Sequence, residues 1–244
     1  MEKGLFITIY GINNLGKTTH AEILKERLID LGFKVKRIKY PVYEIEPSGV
    51  YINKVLRTPG FREDITPEEF QLWYVLNRYQ YESELKKMLE EGYIVIAEDY
   101  TGTGIAWGIA KGIDEDFILN ANRKLLEPDL AILFEGRRKL ESVESGHKHE
   151  QNTELTEKCR VVHEDLAEKF GWKRMHVEEK IEDTAKNLWD IVFNYLKENN
   201  YVSGNFGRKG SFRGNAGKIK GRSGGNRKFF RCCAETRYCS CGRR

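Results

Sequence analysis

Residues 5–31 read LFITIYGINNLGKTTHAEILKERLIDL and join an apolar run to an amphipathic run through a turn that contains two glycines. Leu5 to Tyr10 is rich in β-branched and aromatic residues and ends at Gly11, which predicts a buried strand. Thr18 to Leu31 has apolar residues mostly at helical spacing and is followed by a glycine, which predicts a helix. A G-x₄-G-K-T sequence, residues 11–18, therefore lies between a strand and a helix.

The turn has the composition of a phosphate-binding loop. Phosphate oxygens need several N–H donors at close range, glycines let the backbone approach them, and the start of a helix adds positive partial charge. In such a loop Lys17 reaches the outer phosphates and the Thr18 hydroxyl ligates Mg²⁺. The residues predicted to bind ATP are Gly11, Asn13, Asn14, Leu15, Gly16, Lys17, Thr18 and Thr19.

The rest of the chain continues the alternation of strands and helices. Strands are predicted at 34–40, 93–97, 130–134 and 173–177, and helices at 67–91, 117–126, 157–170 and 181–198. Such alternation favours a parallel sheet with helices on both faces. We predict an α/β, three-layer P-loop NTPase fold with a five-stranded parallel sheet in residues 1–200, and a helical lid at about 137–156, where the sequence is hydrophilic.

The charge of the chain divides at residue 200. Residues 201–244 hold 12 Lys and Arg against one acid, whereas residues 1–200 hold 29 Lys and Arg against 36 Asp and Glu. Nine glycines in the same 44 residues predict a disordered basic tail. Its Arg, Lys and spaced Phe side chains are suited to phosphate contacts and base stacking. Non-specific RNA binding is one hypothesis for the tail, and an idle extension is the other.

No stretch of the sequence approaches the roughly 20 apolar residues of a membrane span. The N-terminus MEKGLFITIYG leads directly into a predicted strand and lacks the pattern of a signal peptide. We therefore expect a cytoplasmic protein without a membrane partner.

Two acids, Glu98 and Asp99, directly follow the apolar strand YIVIA. A carboxylate at the end of a strand next to the loop commonly faces the bound Mg²⁺ in P-loop enzymes. We predict Thr18, Glu98 and Asp99 as metal ligands, directly or through water, and Lys17, Glu98 and Asp99 as catalytic residues. Solvation of the strand end remains the alternative for the two acids.

With these features the chain resembles the thymidylate kinase family over about residues 4–198. Further matches are Tyr40-Pro41, Leu76-Asn77-Arg78, Pro128-Asp129-Leu130 and Phe170-Gly171-Trp172. The resemblance implies transfer of the γ-phosphoryl group of ATP to dTMP, giving ADP and dTDP for dTTP synthesis, and it suggests a homodimer. It also implies that Tyr74 stacks on thymine, that Arg78 hydrogen-bonds the base, and that Tyr100 lines the acceptor pocket.

The chain departs from the family pattern at several charged positions. The family's Asp-Arg-Tyr/His is Glu98-Asp99-Tyr100 here, so an acid stands where an arginine is expected near the transferred phosphate. Asn13 stands where an acid is frequent, and Tyr43 where an arginine commonly follows Pro-Glu.

Other cations are predicted to compensate for the missing arginines. The lid offers His147-Lys148-His149 where arginines are usual, and Lys148 is the predicted catalytic residue there. Arg57 or Arg62 is predicted to replace the clamp on the acceptor phosphate.

These departures leave two other functions open. In a deoxynucleoside kinase, Asp99 or Glu98 would act as the base toward a nucleoside 5′-hydroxyl, because a carboxylate repels an acceptor that already carries phosphate. In the other alternative, the protein is a catalytically weak nucleotide-binding protein with an RNA-binding tail.

Overall fold

The computed structural model describes residues 4–136 and 153–202. The strands in these ranges are β1 (Leu5–Tyr10), β2 (Val35–Lys39), β3 (Ile94–Glu98), β4 (Leu130–Glu135) and β5 (Lys173–His176). The helices are α1 (Lys17–Asp30), α2 (Ser48–Arg57), α3 (Pro67–Glu90), α4 (Thr101–Ala110), α5 (Glu115–Asn122), α6 (Thr153–Phe170) and α7 (Ile181–Glu198).

The five strands form a parallel sheet in the order β2-β3-β1-β4-β5. The central strand β1 places Leu5 beside Ile94 of β3 and Ile7 beside Leu130 of β4. The loop after β1 therefore leaves the sheet at the point where strand order reverses, which is where open α/β sheets bind their ligands. The predicted sheet is confirmed.

The two faces of β1 belong to different layers of the core. Ile7 and Ile9 pack in the same cluster as residues of α1 and α7, whereas Phe6 and Tyr10 pack with Leu85 of α3. Successive side chains of a strand point to opposite faces, so a strand buried on both faces is largely apolar. This arrangement of helix, sheet and helix is the predicted three-layer α/β fold.

Helix α3 begins where its sequence predicts. The Thr66 side chain caps it by accepting a hydrogen bond from the Glu69 backbone N–H at 3.1 Å, and Pro67 occupies the first helical position. The two acids of the first turn, Glu68 and Glu69, lie at the positive end of the helix dipole.

Helices α2 and α4 were not predicted from the sequence. Helix α4 has the sequence TGTGIAWGIA, and its three glycines have low intrinsic helix propensity. Packing explains them: a Cβ at Gly102 would lie 2.5 Å from the Trp172 ring, and a Cβ at Gly104 would overlap the Arg78 guanidinium.

The described chain ends in contact with the core. The Tyr201 hydroxyl donates to the Gly4 carbonyl at 3.1 Å, and the Val202 side chain is buried. The packing thus continues two residues past the predicted boundary at residue 200. Of the predicted lid, residues 153–156 form the start of α6, and residues 137–152 lie outside the described ranges, as does the tail from residue 203. None of the described helices is long and apolar enough to cross a membrane.

Candidate active site

The loop between β1 and α1 has the backbone of a phosphate-binding turn. Gly11 and Gly16 have φ angles of 132° and 79°, in the region that favours glycine. A Cβ at Gly11 would also lie 2.7 Å from the carbonyl oxygen of Phe134. Gly16 is the N-cap of α1, so the first amides of that helix open toward the loop.

The Lys17 side chain crosses this loop. Its Nζ donates to the carbonyl oxygens of Gly11 and Ile12, both at 2.8 Å, and lies 3.2 Å from Asp99 Oδ1. Lys17 is buried, so these three oxygens hold its ammonium group in place of water. The predicted loop lysine and one of the two strand-end acids are therefore in direct contact.

Glu98 connects the loop to the edge of the sheet. Its completely buried carboxylate accepts from the Thr18 hydroxyl at 2.6 Å through Oε2, and from Arg37 Nη1 at 2.6 Å through Oε1. Arg37, on β2, also donates to Glu22 at 2.9 Å. The converging oxygens of Thr18 and Glu98 are donors of the kind that Mg²⁺ prefers, so this pair fits the predicted metal site.

Asp99 has a left-handed backbone, with φ of 59°, which aspartate tolerates better than most residues. Its Oδ1 accepts from the Thr103 hydroxyl at 3.2 Å in addition to its ion pair with Lys17. The acid that replaces the expected arginine therefore binds the loop lysine.

A cavity of about 570 Å³ extends from the loop to residues of α2, α3 and α4. The predicted site residues that line it are Asn13, Asn14, Gly16, Lys17, Thr18, Thr19, Tyr74, Arg78, Glu98 and Asp99. The structure thus brings the predicted donor and acceptor residues into one space, although they are up to 86 positions apart in the chain.

Arg78 is a buried cation within this cavity. Its Nη1 donates to Asn122 Oδ1 at 3.0 Å, and its Nε has no hydrogen-bond partner among the described residues. Burial lowers the pKa of Arg78, and the titratable groups that oppose this shift are tyrosines, including Tyr100 and Tyr74. A buried guanidinium in this setting favours a ligand that brings a hydrogen-bond acceptor.

Tyr74 and Tyr100 differ in their access to the cavity. Tyr74 lines it, four residues before Arg78 on α3, and burial raises its pKa. Tyr100 is completely buried, with its ring 5.2 Å from Phe6 and 5.0 Å from Tyr40, and it does not line the cavity. The prediction that Tyr100 lines the acceptor pocket is therefore not met by this cavity, which Tyr100 reaches only through neighbours such as Tyr40. Leu15, in the loop, is likewise a core residue.

Several lining residues escaped the sequence analysis. They include Gln71 of α3, Thr103, Gly104 and Trp107 of α4, and Lys111 just after α4, whereas Arg57 of α2, which also lines the cavity, was already a predicted candidate. Burial lowers the pKa of Lys111 to about 8. Most of these residues lie on or next to α4, a helix that was not predicted. The glycine pair Gly102 and Gly104 was the available signal, since close packing on a helix requires small residues. The predicted lid residue Lys148 lies outside the described residues.

A phosphate-binding loop at the switch point of a parallel sheet, with an acceptor pocket in the same cavity, defines a P-loop nucleotide kinase. The family model "Thymidylate kinase" matches residues 9–188. The chain belongs to the thymidylate kinase family. This confirms the family and the fold class predicted from the sequence.

Individual relatives agree with the family match at modest identity. The putative thymidylate kinase 251L of Invertebrate iridescent virus 6 is 26% identical over 200 residues, which cover 81% of this chain and 92% of that protein. The probable thymidylate kinase of Thermococcus kodakarensis is 28% identical over 206 residues, which cover 80% and 100%. The structure of the Candida albicans thymidylate kinase matches with a TM-score of 0.68 and 23% identity, covering 79% of this chain and 92% of that one. The protein is therefore an enzyme, a nucleoside monophosphate kinase with ATP as the phosphate donor.

Proposed function

We propose that the protein transfers the γ-phosphoryl group of ATP to the 5′-phosphate of dTMP, giving ADP and dTDP. The observation that supports this reaction is the shared cavity. It is lined by the phosphate-binding loop and by Tyr74 and Arg78 of α3. Phosphoryl transfer depends mainly on positioning two substrates and on stabilising charge, and the cavity provides room and charged groups for both.

At the donor end, the amides of the loop and of the first turn of α1 bind phosphate oxygens. Lys17, which lies 3.2 Å from Asp99 Oδ1, pairs with the outer phosphates of ATP. Thr18 and Glu98 would hold Mg²⁺, with Asp99 as a further proposed ligand, and the bound ion would neutralise charge on the β- and γ-phosphates. Arg37 keeps the buried Glu98 carboxylate oriented toward Thr18.

At the acceptor end, the Tyr74 ring offers a flat surface for a pyrimidine. Arg78 donates from its buried guanidinium to a base carbonyl. Thymine presents an acceptor oxygen at position 4, whereas cytosine presents an amino group there. A donor at this place therefore favours thymine over cytosine.

The nucleoside kinase alternative is less well supported by the positions of the two acids. A general base must reach the hydroxyl proton with an available carboxylate oxygen. Glu98 is bound by Thr18 and Arg37, and Asp99 Oδ1 is bound by Lys17 and Thr103. Both carboxylate oxygens of Glu98 and one of Asp99 are therefore bound by protein donors, which disfavours either acid as the base.

A coupled assay of ADP release tests the choice of acceptor. We expect turnover with dTMP and Mg·ATP, much slower turnover with dCMP, and none with thymidine. ADP release with thymidine but not with dTMP would support the nucleoside kinase instead. ATP binding without turnover on any acceptor would support the nucleotide-binding protein, whose proposed RNA-binding tail lies beyond the described residues.

The variant Arg78→Met tests the role in base recognition. It removes the donors but keeps an unbranched side chain of similar length, so it should reduce kcat/KM for dTMP by roughly 10- to 100-fold. The ratio of the kcat/KM values for dTMP and dCMP should fall as well. The KM for ATP should stay near that of the wild type. A loss of ATP and dTMP affinity together would point to a general structural defect.

We also propose that the expected homodimer forms through α3. Leu72, Leu76 and Tyr79 lie on one face of that helix and are 45%, 39% and 38% exposed. An exposed apolar stripe of this kind favours association with a second apolar surface. Sedimentation of the variant Leu76→Asp should then show a larger fraction of monomer than the wild type.

The cytoplasmic location remains a prediction.

A further inference from the structure

The acceptor phosphate of dTMP lacks an assigned cation in this protein. Tyr43 and Asp99 stand where the family resemblance leads us to expect arginines, and Asp99 adds a negative charge in the cavity. A phosphate held in a partly buried site needs a cationic partner, and a guanidinium is the group that binds it bidentately. Some other residue must therefore supply that charge.

Within the described residues, the cationic side chains of lysine and arginine that line the cavity are Lys17, Lys39, Arg57, Arg78 and Lys111. Lys17 belongs to the donor loop, and Arg78 is bound to Asn122 below the place of the base. Lys111 is held beside the Phe70 ring, with its Nζ 5.8 Å from the ring centroid. Lys39 and Arg57 remain, and of these two Arg57 carries a guanidinium.

The Arg57 guanidinium is oriented by two neighbours. Its central carbon lies 4.9 Å from the centroid of the Tyr43 ring, and its Nη1 donates to Asn53 Oδ1, one turn earlier on α2, at 2.8 Å. Stacking on a ring and a hydrogen bond fix the plane of a guanidinium. Arg57 thus brings a cation over the residue that replaces the expected arginine.

Arg57 also lies near Tyr74 in the cavity. The charges of Arg57 and Arg78 both act on the Tyr74 hydroxyl and oppose the rise in its pKa caused by burial, so both cations are near that ring. Arg78 is on the same helix as Tyr74, and Arg57 reaches it from α2. A nucleotide whose base stacks on Tyr74 therefore shares the cavity with two cations, Arg78 on the same helix and Arg57 on α2.

Arg62, the other candidate from the sequence, serves a different purpose. Its three guanidinium nitrogens bind Asp64 at 3.1 Å, Glu69 at 2.8 Å and the Tyr51 hydroxyl at 2.7 Å. It does not line the cavity. Arg62 connects α2 to α3 and provides a matched control.

We propose that Arg57, stacked on Tyr43, binds the 5′-phosphate of the acceptor nucleotide in place of the arginine that the loop after β2 lacks. This assignment rests on dTMP being the acceptor. A nucleotide and a nucleoside differ at this contact by the phosphate alone, so the two ligands separate phosphate binding from base binding.

The test compares the Kd values of dTMP and thymidine for the full-length protein by calorimetry. Arg57→Ala should weaken dTMP binding by roughly 10- to 100-fold and leave thymidine binding within about twofold of the wild type. Arg57→Lys should recover part of the loss, because it restores the charge without the bidentate geometry. Arg62→Ala should leave the ratio of the two Kd values unchanged.

Each other outcome overturns the assignment. If Arg57→Ala weakens both ligands equally, or neither, Arg57 does not bind the phosphate. If Lys39→Ala or Lys111→Met lowers the preference for dTMP over thymidine and Arg57→Ala does not, that lysine binds the acceptor phosphate instead. Failure of the wild type to bind or phosphorylate dTMP would overturn the proposed function itself, and the assignment with it. Turnover of dTMP with an unchanged KM in Arg57→Ala would overturn the assignment alone.

Discussion

Gly104 sets the distance between α4 and the Arg78 guanidinium. A Cβ at this position would overlap Arg78 Nη2 and lie 2.8 Å from Cζ. Arg78 cannot move away easily, because it is buried and bound to Asn122. The close approach of α4 to the Arg78 guanidinium therefore requires glycine at position 104.

The variant Gly104→Ala should displace Arg78 and weaken acceptor binding. We expect the KM for dTMP to rise by about tenfold or more, because a displacement of an ångström at a positioning group has effects of this order. The KM for ATP should change little. Steady-state kinetics with each substrate varied in turn would measure both values.

Gly108→Ala is the matched control on the same helix. A Cβ there would lie 3.3 Å from a methylene carbon of Ile118, which can shift by a few tenths of an ångström. Both substitutions raise helix propensity by a similar amount. Equal effects of the two variants on the KM for dTMP would show that the Gly104 contact with Arg78 is unimportant.

Single residues show where sequence reasoning succeeds and where it stops. The roles of Lys17 and Thr18 could be predicted because the loop motif and both flanking elements lie within 27 residues. The contact of Arg37 with Glu98 joins residues 61 positions apart. It depends on β2 lying beside β3, a strand order that the alternation of elements leaves undetermined.

At the scale of helices, α3 could be predicted and α4 could not. Helix α3 has a capping threonine, a proline at its first position and acids in its first turn, which are all local signals. In α4 the local signals oppose the structure, because glycine disfavours a helix by about 1 kcal/mol relative to alanine. Tertiary packing against Trp172, Arg78 and Ile118 outweighs that preference.

Substitutions at the N-cap of α3 measure how much the Thr66 hydroxyl stabilises the start of the helix. Thr66→Ala removes the acceptor for the Glu69 N–H and should lower the free energy of unfolding by about 1 kcal/mol. Thr66→Ser keeps the hydroxyl and should stay within about 0.5 kcal/mol of the wild type. Urea unfolding of the three proteins makes the comparison. If serine and alanine destabilise equally, the hydroxyl does not stabilise the start of the helix.

For the whole molecule, the buried His163 links stability to pH. It lies on α6 with Nδ1 2.8 Å from the Cys159 carbonyl oxygen, and burial lowers its pKa to about 4. An unfolded histidine has a pKa of about 6.5, so between those values the unfolded state binds the proton and the folded state does not. The contribution of a neutral His163 is therefore present above pH 6.5 and is lost as the pH falls toward 4.

We expect His163→Gln to flatten the dependence of stability on pH in this window. The wild type should lose up to about 3 kcal/mol between pH 6.5 and pH 4 from this group, in addition to losses from carboxylates. Urea unfolding at several pH values measures the difference in slope. The exposed His176→Gln should keep the slope of the wild type, and an unchanged slope in His163→Gln would contradict the linkage.

Two truncations test how much Tyr201 and Val202 stabilise the fold. The Tyr201 amide donates to the Leu196 carbonyl at 2.9 Å, and the Tyr201 hydroxyl donates to the Gly4 carbonyl at 3.1 Å. The Val202 side chain is buried against the core. A chain of residues 1–203 keeps these contacts, and a chain of residues 1–200 loses them. We expect the shorter chain to lose about 2 kcal/mol of unfolding free energy, mainly from exposure of the apolar surface covered by Val202 and Tyr201.

The longer chain should match the full-length protein in urea unfolding and in kcat/KM for dTMP, because every described cavity residue lies before residue 182. A drop in turnover for residues 1–203 at unchanged stability would instead place a residue of the basic tail in the reaction.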